Sequence, residues 1–237
     1  MLTEEVKKLK ETQLSLRLQL KSLFTVYGRS TLIAVSLLGL QMLIGINTAM
    51  YYGPLIMEKS GITFEDLTKD ESALILNIPL AFTNFAGTTC NVFMIDRFGR
   101  RSLMLGTLPL MATFWTIAAI GMCFTGEGQN PPVQAVGGYL AIVAIHLFVF
   151  VFGMGISSTP WTVTSEIFPL HLIGTASSLG AASNWVNNAV IAQLFKVVSE
   201  INLAARVILY LVLGMIAAGT FVFVYYLVPE TAGKSIE

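Results

Sequence analysis

The sequence is 237 residues long, and 54% of these residues are hydrophobic while only 12% are charged. A soluble domain carries about a quarter charged residues, so the composition excludes an ordinary soluble domain and indicates a chain surrounded by lipid. The 14 basic and 14 acidic residues cancel at neutral pH, and they form no basic surface of the kind that binds nucleic acid.

The first 29 residues are polar and charged. Leu9, Leu16, Leu20 and Leu23 are interspersed with Lys and Glu, which predicts an amphipathic helix along the cytoplasmic face of a membrane. A partly ordered linker is the alternative. The apolar segment that follows is too long, and too far from Met1, to be a cleaved signal peptide.

Charge-free segments follow one another along the rest of the chain. They cover residues 30–57, 72–95, 102–126, 128–165, 167–195 and 207–229. About 20 apolar residues cross a bilayer core as a helix. The fourth segment opens on a polar, proline-broken loop, "GQNPPVQAVGG", which leaves one span over about 136–160. The sequence therefore predicts an all-α polytopic membrane protein with six transmembrane helices.

Lysine and arginine residues set the predicted orientation. With six spans both termini lie on one side, and that side carries ten of these residues against four on the other. Loops rich in Lys and Arg stay in the cytoplasm, so both termini are predicted to be cytoplasmic. The corresponding domains are a cytoplasmic segment over 1–29, a six-helix domain over 30–229 and a cytoplasmic tail over 230–237.

Polar side chains recur at helical spacing inside the predicted spans. Each one taken alone is explained by a hydrogen bond between helices, worth about 0.6 kcal/mol. The set as a whole, however, consists of amides and aromatics and includes no carboxylate or lysine. Amides both donate and accept hydrogen bonds, which suits hydroxyl groups, whereas ions require charges or carbonyl cages. The pattern favours a neutral, polyhydroxylated ligand. Its members are Gln41, Asn47 and Tyr51; Asn77, Asn84 and Asn91; and Asn184, Trp185 and Asn188. Gly45 is predicted to let the first span bend or partly unwind, and Pro160 is predicted to interrupt the fourth span.

Four motifs resemble those of the sugar porter family, the major facilitator branch that holds the glucose and inositol transporters. They are "QMLIGINTAMYY" at 41–52, "DRFGRR" at 96–101, "PWTVTSEIFP" at 160–169 and "PETAGK" at 229–234. The family has twelve helices in two halves. The resemblance implies that this chain is the C-terminal half, helices 7 to 12, of a major facilitator fold. It also implies that an N-terminal six-helix half is missing. The chain is then either a fragment or incomplete gene product, which we favour, or a genuine half-length protein.

The resemblance also implies roles for individual residues. The substrate-binding residues are Gln41, Asn47, Asn84, Trp161, Trp185 and Asn188. The gating residues are Tyr51, Tyr52 and Pro160, with Arg97, Arg100, Arg101 and Glu166 as a cytoplasmic charge cluster.

Several residues depart from the family pattern. Met42 stands where the motif has a second Gln, Gly153 where some glucose carriers have Glu, and Ala232 where the terminal motif has Lys. No Arg follows "EIFP". We expect the first change to affect substrate choice and the loss of a cation to affect gating.

The function implied is transport of a hexose or a polyol such as inositol, by uniport or with protons as coupling ion. The protein would be multi-pass in a plasma or organelle membrane, with the plasma membrane favoured. A non-transporting sensor or truncated scaffold is the alternative. An enzyme is disfavoured because His146 and His171 are isolated and no catalytic or metal motif occurs. Cys90 and Cys123 lie in apolar runs and suit packing, and no cofactor is expected.

Overall fold

The computed structural model describes residues 15–50, 69–126 and 128–233. Within these ranges the chain is helical and contains no strand, which confirms the all-α prediction. A short helical segment over 46–50 follows the second helix. The helices are α1 (Leu16–Thr25), α2 (Gly28–Leu43), α3 (Lys69–Phe98), α4 (Arg100–Cys123), α5 (Pro131–Gly155), α6 (Thr159–Glu166), α7 (Leu170–Ile201) and α8 (Leu203–Leu227).

Five segments of the described chain are long and apolar enough to cross a membrane. They are Gly28–Met50, Ile78–Phe98, Arg100–Cys123, Pro131–Glu166 and Leu203–Leu227. The sixth predicted span corresponds to α7, which has 32 residues. At about 1.5 Å per residue it exceeds the roughly 30 Å of a bilayer core. Its run of Ser and Asn side chains makes α7 the least apolar of the six.

Close helix contacts explain how the bundle is assembled. The most extensive contacts join α4 to α5 and α8, α2 to α7, and α3 to α5. A Cβ on Gly121 of α4 would lie 2.7 Å from the Gly137 carbonyl oxygen of α5, and one on Gly87 of α3 would overlap the Phe150 carbonyl oxygen of α5. Small residues let membrane helices approach this closely, so these glycines set the spacing of the bundle.

The first span is interrupted at residues 44–45, as the sequence predicted from Gly45. Gly45 has a φ of +98°, a conformation that side-chain-bearing residues rarely adopt. The Trp115 indole Nε1 donates to the Ile44 carbonyl oxygen at 2.9 Å. Trp115 is fully buried against Phe148 and Tyr210. The core of the bundle therefore supplies a partner for a carbonyl next to the interruption.

Gly45→Ala should destabilise the protein. A non-glycine residue at positive φ costs about 1–2 kcal/mol, and the new Cβ would lie 3.0 Å from Leu213 and 3.2 Å from Trp115. Gly106→Ala is the matched control, because that helical glycine of α4 has nothing within 4 Å of an added Cβ. Thermal unfolding in detergent should show a lower midpoint for Gly45→Ala only. Equal midpoints for both variants would contradict the strain at Gly45.

The fourth span is interrupted between α5 and α6. The sequence predicted the interruption at Pro160, and the structure places it at residues 156–158, just before that proline. Pro160 lies in the first turn of α6, where its missing N–H leaves no helical hydrogen bond unmade. Two side chains satisfy carbonyl groups at the end of α5: the Ser157 hydroxyl donates to the Gly153 carbonyl oxygen and the Thr159 hydroxyl to that of Gly155, both at 2.6 Å.

The helix α1 packs against α2 and α7. Leu23 is fully buried there, and its carbonyl oxygen accepts from the Thr31 hydroxyl at 2.8 Å. Leu16 and Phe24 remain exposed. A helix thus forms over residues 16–25 of the predicted amphipathic segment, whereas Leu9 lies outside the described residues. Its position along the cytoplasmic face of a membrane stays a prediction.

Candidate functional site

The Gln41 side chain connects the first span to α7 and to the break between α5 and α6. Its side chain is buried, and its Nε2 donates to the carbonyl oxygens of Ile156 at 2.8 Å and Ser157 at 2.6 Å, inside the break between α5 and α6. Its Oε1 accepts from Asn184 Nδ2 at 3.0 Å, and the same Nδ2 also donates to the Leu38 carbonyl oxygen at 3.0 Å. One amide therefore links α2, α7 and the carbonyl groups exposed by a helix break.

Asn47 and Asn188 form a second amide contact. Asn47 Nδ2 donates to Asn188 Oδ1 at 2.9 Å and lies 3.4 Å from Met42 Sδ. The bond uses one donor of Asn47 and one acceptor of Asn188. Among the described residues the side-chain oxygen of Asn47 and the side-chain nitrogen of Asn188 make no other hydrogen bond, and together they offer an acceptor and a donor to a hydroxyl group.

Asn91 braces the α5–α6 break from α3. Its Nδ2 donates to the Met154 carbonyl oxygen at 2.6 Å, and its Oδ1 accepts from the Ser158 hydroxyl at 2.5 Å. Asn91 follows Asn77 and Asn84 at seven-residue intervals on the predicted stripe of amides, but no motif predicts a role for it. That stripe was the available signal. The partners could not be predicted, because they are a backbone carbonyl 63 residues away and a serine hydroxyl 67 residues away along the chain.

The remaining predicted substrate residues make no hydrogen bond to these amides within the described part of the chain. Asn84 is half-buried, and its Oδ1 accepts from the Thr88 hydroxyl of the same helix at 3.3 Å. Trp161 is 39% exposed and Trp185 is 65% exposed. Within the described part of the chain, neither indole hydrogen-bonds to the amide groups. The predicted gating residues Tyr51 and Tyr52 lie outside the described residues.

An ion-pair cluster lies at the end of the bundle where α4 begins. Arg100 Nη2 and Nε lie 3.0 and 3.2 Å from Glu166 Oε1, and Arg100 Nη1 lies 3.0 Å from Asp96 Oδ1. Arg101 turns away: its Nη2 donates to the Tyr225 carbonyl oxygen at 2.7 Å. Arg97 is exposed and makes no ion pair with a described residue. Of the three predicted arginines, only Arg100 pairs with Glu166.

Glu230 binds the N-terminus of α4. Its carboxylate accepts from the backbone N–H groups of Arg100, Arg101 and Ser102 at 2.9–3.3 Å, and from those of Thr231 and Ala232. Partial burial raises the pKa of Glu230, but the backbone donors outweigh it and hold that pKa below the ordinary glutamate value. Gly99 permits this contact, because a Cβ there would lie 2.7 Å from Glu230 Oε2.

Glu230→Gln should lower the thermal midpoint at pH 7 and lower it less near pH 3. A depressed folded-state pKa contributes stability that is complete above the unfolded value, about 4.3, and is lost as pH falls through the folded value. Circular dichroism melting of both proteins at the two pH values tests this. Asp96→Asn is the control, since Asp96 is 78% exposed and should matter less. A deficit as large at pH 3 as at pH 7 would show that the carboxylate charge is irrelevant.

Groups of three or more His, Cys, Asp or Glu side chains placed to hold a metal ion do not occur among the described residues. The arrangement instead offers neutral donors and acceptors, two interrupted helices and an ion pair linking α4 to α6. These are groups suited to binding an uncharged polar molecule and not to covalent chemistry.

Comparison with known proteins places the chain among transporters. The family model described as "Sugar (and other) transporter" matches residues 1–237. Membrane transporter D1 of Leishmania donovani is 34% identical over 203 residues, which cover 84% of this chain and 34% of that protein. Facilitated trehalose transporter Tret1 of Bombyx mori is 31% identical over 219 residues, covering 92% and 41% respectively. The chain therefore spans less than half the length of these curated relatives.

Among solved structures, the chain is similar to the proton:xylose symporter XylE of the major facilitator superfamily, bound to 6-bromo-6-deoxy-D-glucose. The TM-score is 0.65 at 27% identity, and the match covers 87% of this chain and 41% of that one. The six long helices described above correspond to part of that larger fold.

Proposed function

The chain belongs to the Sugar (and other) transporter family, and we propose that it forms the C-terminal half of a carrier for a hexose or polyol. The named relatives are transporters, in agreement with the expectation that the chain is not an enzyme. In this proposal the chain is an integral, multi-pass membrane protein that works by alternating access with a further six-helix half.

The observation that carries the proposal is the meeting of amides with two helix breaks. Gln41 bonds to the carbonyl groups of the α5–α6 break, and Asn47 lies two residues beyond the break at Gly45 and bonds to Asn188. Carriers of this superfamily place substrate near the membrane midplane against discontinuous helices. Neutral amides beside such breaks favour a ligand rich in hydroxyl groups.

Each predicted residue then has a defined task. The side-chain oxygen of Asn47 and the side-chain nitrogen of Asn188, which have no other partner among the described residues, exchange hydrogen bonds with substrate hydroxyls. Gln41 holds the α5–α6 break in the shape that the substrate meets. Trp161 follows Pro160 on α6 and is partly exposed, so its indole is available to a sugar ring. Asn84 and Trp185 complete the proposed set from α3 and α7.

Gating is proposed to depend on the contact between α4 and α6. Because Glu166 is the last residue of α6, its ion pair with Arg100 ties the helix that carries Trp161 to the start of α4. Breaking the pair would free α6 to move. Tyr51 and Tyr52 remain predicted gating residues. Coupling of transport to protons also remains a prediction. A coupling carboxylate, if used, would lie in the other half.

Topology is tested by cysteine labelling. Both termini are predicted to be cytoplasmic, so Glu65→Cys in a Cys90→Ser, Cys123→Ser background should react with an impermeant maleimide in intact cells. Thr25→Cys, on α1, should react only after permeabilisation. The reverse pattern would overturn the orientation.

Transport is tested by reconstitution. The full-length protein that carries this chain should show saturable uptake of labelled glucose or myo-inositol into liposomes, whereas the chain alone should show none because alternating access needs two halves. Substrate binding by the full-length protein without uptake would indicate a sensor. Absence of both binding and uptake would contradict the proposed function.

A further inference from the structure

A groove of about 380 Å³ lies where α2 and α4 begin and α8 ends. Its lining includes the side chains of Arg29 and Ser30 from α2, Arg101 from α4, and Tyr225 and Tyr226 from α8. None of these residues belongs to the proposed substrate site. The groove has the size of a small-molecule pocket, for which about 300–1,000 Å³ is usual.

The ends of three membrane spans fix the depth of this groove. Arg29 and Arg101 are the second residues of the spans Gly28–Met50 and Arg100–Cys123, and Leu227 is the last residue of Leu203–Leu227. The groove therefore lies at the level of the lipid headgroups. Tyrosine side chains are enriched at that level in membrane proteins, and Tyr225 and Tyr226 are both more than half exposed.

Arg101 is held in place without a carboxylate partner in the described part of the chain. Its Nη2 donates to the Tyr225 carbonyl oxygen at 2.7 Å, and its guanidinium lies 5.6 Å from the centre of the Tyr225 ring. Its Nε is buried and has no acceptor among the residues that the structure describes. An unsatisfied buried donor of a charged group is costly, so an anion that reaches Nε would be favoured.

The acidic side chains at this end of the bundle already interact with groups other than the side chains of Arg29 and Arg101. Glu166 and Asp96 pair with Arg100, and the Glu230 carboxylate accepts from backbone N–H groups at the start of α4. Arg29 is exposed, and no described acidic side chain forms a salt bridge with it. Two cations thus face one groove, without a paired carboxylate among the described residues.

We propose that this groove binds the headgroup of an anionic phospholipid. The phosphate would contact Arg101 and Arg29 and accept from the Ser30 hydroxyl. Arginine presents several donors in a plane that matches phosphate oxygens. Basic pockets between membrane helices are suited to such headgroups.

A lipid, and not a free phosphate ion, is favoured by the apolar surface that continues from the groove. Leu227 and Val228 form part of its wall. Beyond them α8 exposes Val222, Met215 and Ile208, which lie along the helix toward its other end. Acyl chains attached to a headgroup in the groove could cover this surface.

The proposal is tested by native mass spectrometry of the purified chain in detergent. Phosphatidylglycerol and phosphatidylcholine with identical acyl chains are supplied together. The wild-type chain should retain phosphatidylglycerol at least fivefold more than phosphatidylcholine, and R29Q/R101Q should retain the two about equally. R97Q is the matched control, because Arg97 is an exposed arginine at the same end of the bundle and does not line the groove; it should keep the wild-type preference.

Two further measurements keep the result decisive. Arg29 makes no hydrogen bond within the described part of the chain, so R29Q alone should fold like the wild type by circular dichroism and still lose at least half of the preference. An unchanged preference in R29Q, or an equal loss in R97Q, would overturn the site. Displacement of bound phosphatidylglycerol by millimolar inorganic phosphate would instead show a site for soluble anions and refute the lipid.

Discussion

Gln41→Leu is expected to destabilise the bundle by about 2 kcal/mol. The side chain makes three interhelical hydrogen bonds, to Ile156, Ser157 and Asn184, and such bonds average about 0.6 kcal/mol each inside membrane proteins. Leucine would also leave the carbonyl groups of the α5–α6 break without donors in a buried place. Reversible unfolding followed by circular dichroism in mixed micelles measures the loss.

Ser183→Ala provides the matched control for Gln41→Leu. The Ser183 hydroxyl makes one hydrogen bond between the same helices, α7 and α2, to the Val35 carbonyl oxygen at 2.9 Å. Its loss should cost about 0.6 kcal/mol. If the two variants are equally stable, Gln41 does not hold the break, and the proposed shape of the site is wrong.

The sequence predicted this part of the structure well. An amide-rich segment around Gly45 and a proline in "STPW" indicated two interrupted helices, and both interruptions are present. Local chemistry is sufficient for such a prediction, because glycine at positive φ and proline at a helix start act on their own backbone. The family motifs also placed Gln41 and Asn47 on the same segment.

The sequence did not predict hydrogen bonds between residues that are far apart along the chain. Trp115 bonds to the Ile44 carbonyl oxygen across 71 residues, and an isolated Trp in an apolar helix gives no sign of such a partner. The motif "DRFGRR" likewise suggested that three arginines share one role, yet Arg101 turns toward Tyr225. Side-chain direction at a helix start depends on which helices pack beside it, and spacing alone does not specify that.

Arg100→Gln is expected to have the largest effect among the charged residues, about 2–4 kcal/mol. Breaking a buried ion pair from one side costs about 3–5 kcal/mol, and this pair is partly exposed, with side-chain exposures of 15% and 24%. The variant would leave Glu166 without its cation. Unfolding midpoints of Arg100→Gln, Glu166→Gln and the double variant give the coupling energy.

The coupling energy between Arg100 and Glu166 should exceed about 1 kcal/mol and should shrink at high salt. Arg97→Gln combined with Glu166→Gln is the control cycle and should show additive effects, because Arg97 makes no ion pair with a described residue. Additive effects in both cycles would mean that the pair does not tie α4 to α6.

The central claim is that the amides beside the helix breaks bind substrate hydroxyls. The most direct measurement is concentration-dependent uptake of labelled glucose and myo-inositol by the full-length protein, comparing Asn47→Ala with Asn187→Ala. Within the described part of the chain, the Asn187 side chain hydrogen-bonds to Ser183 of the same helix and to no other residue. Asn187 lies next to Asn188, a proposed substrate-binding residue. Losing a hydroxyl partner costs about 1–3 kcal/mol, or about 5- to 150-fold in affinity. We expect that loss for Asn47→Ala and near-normal uptake for Asn187→Ala. Unchanged affinity in Asn47→Ala would contradict the claim and leave these amides as contacts between helices.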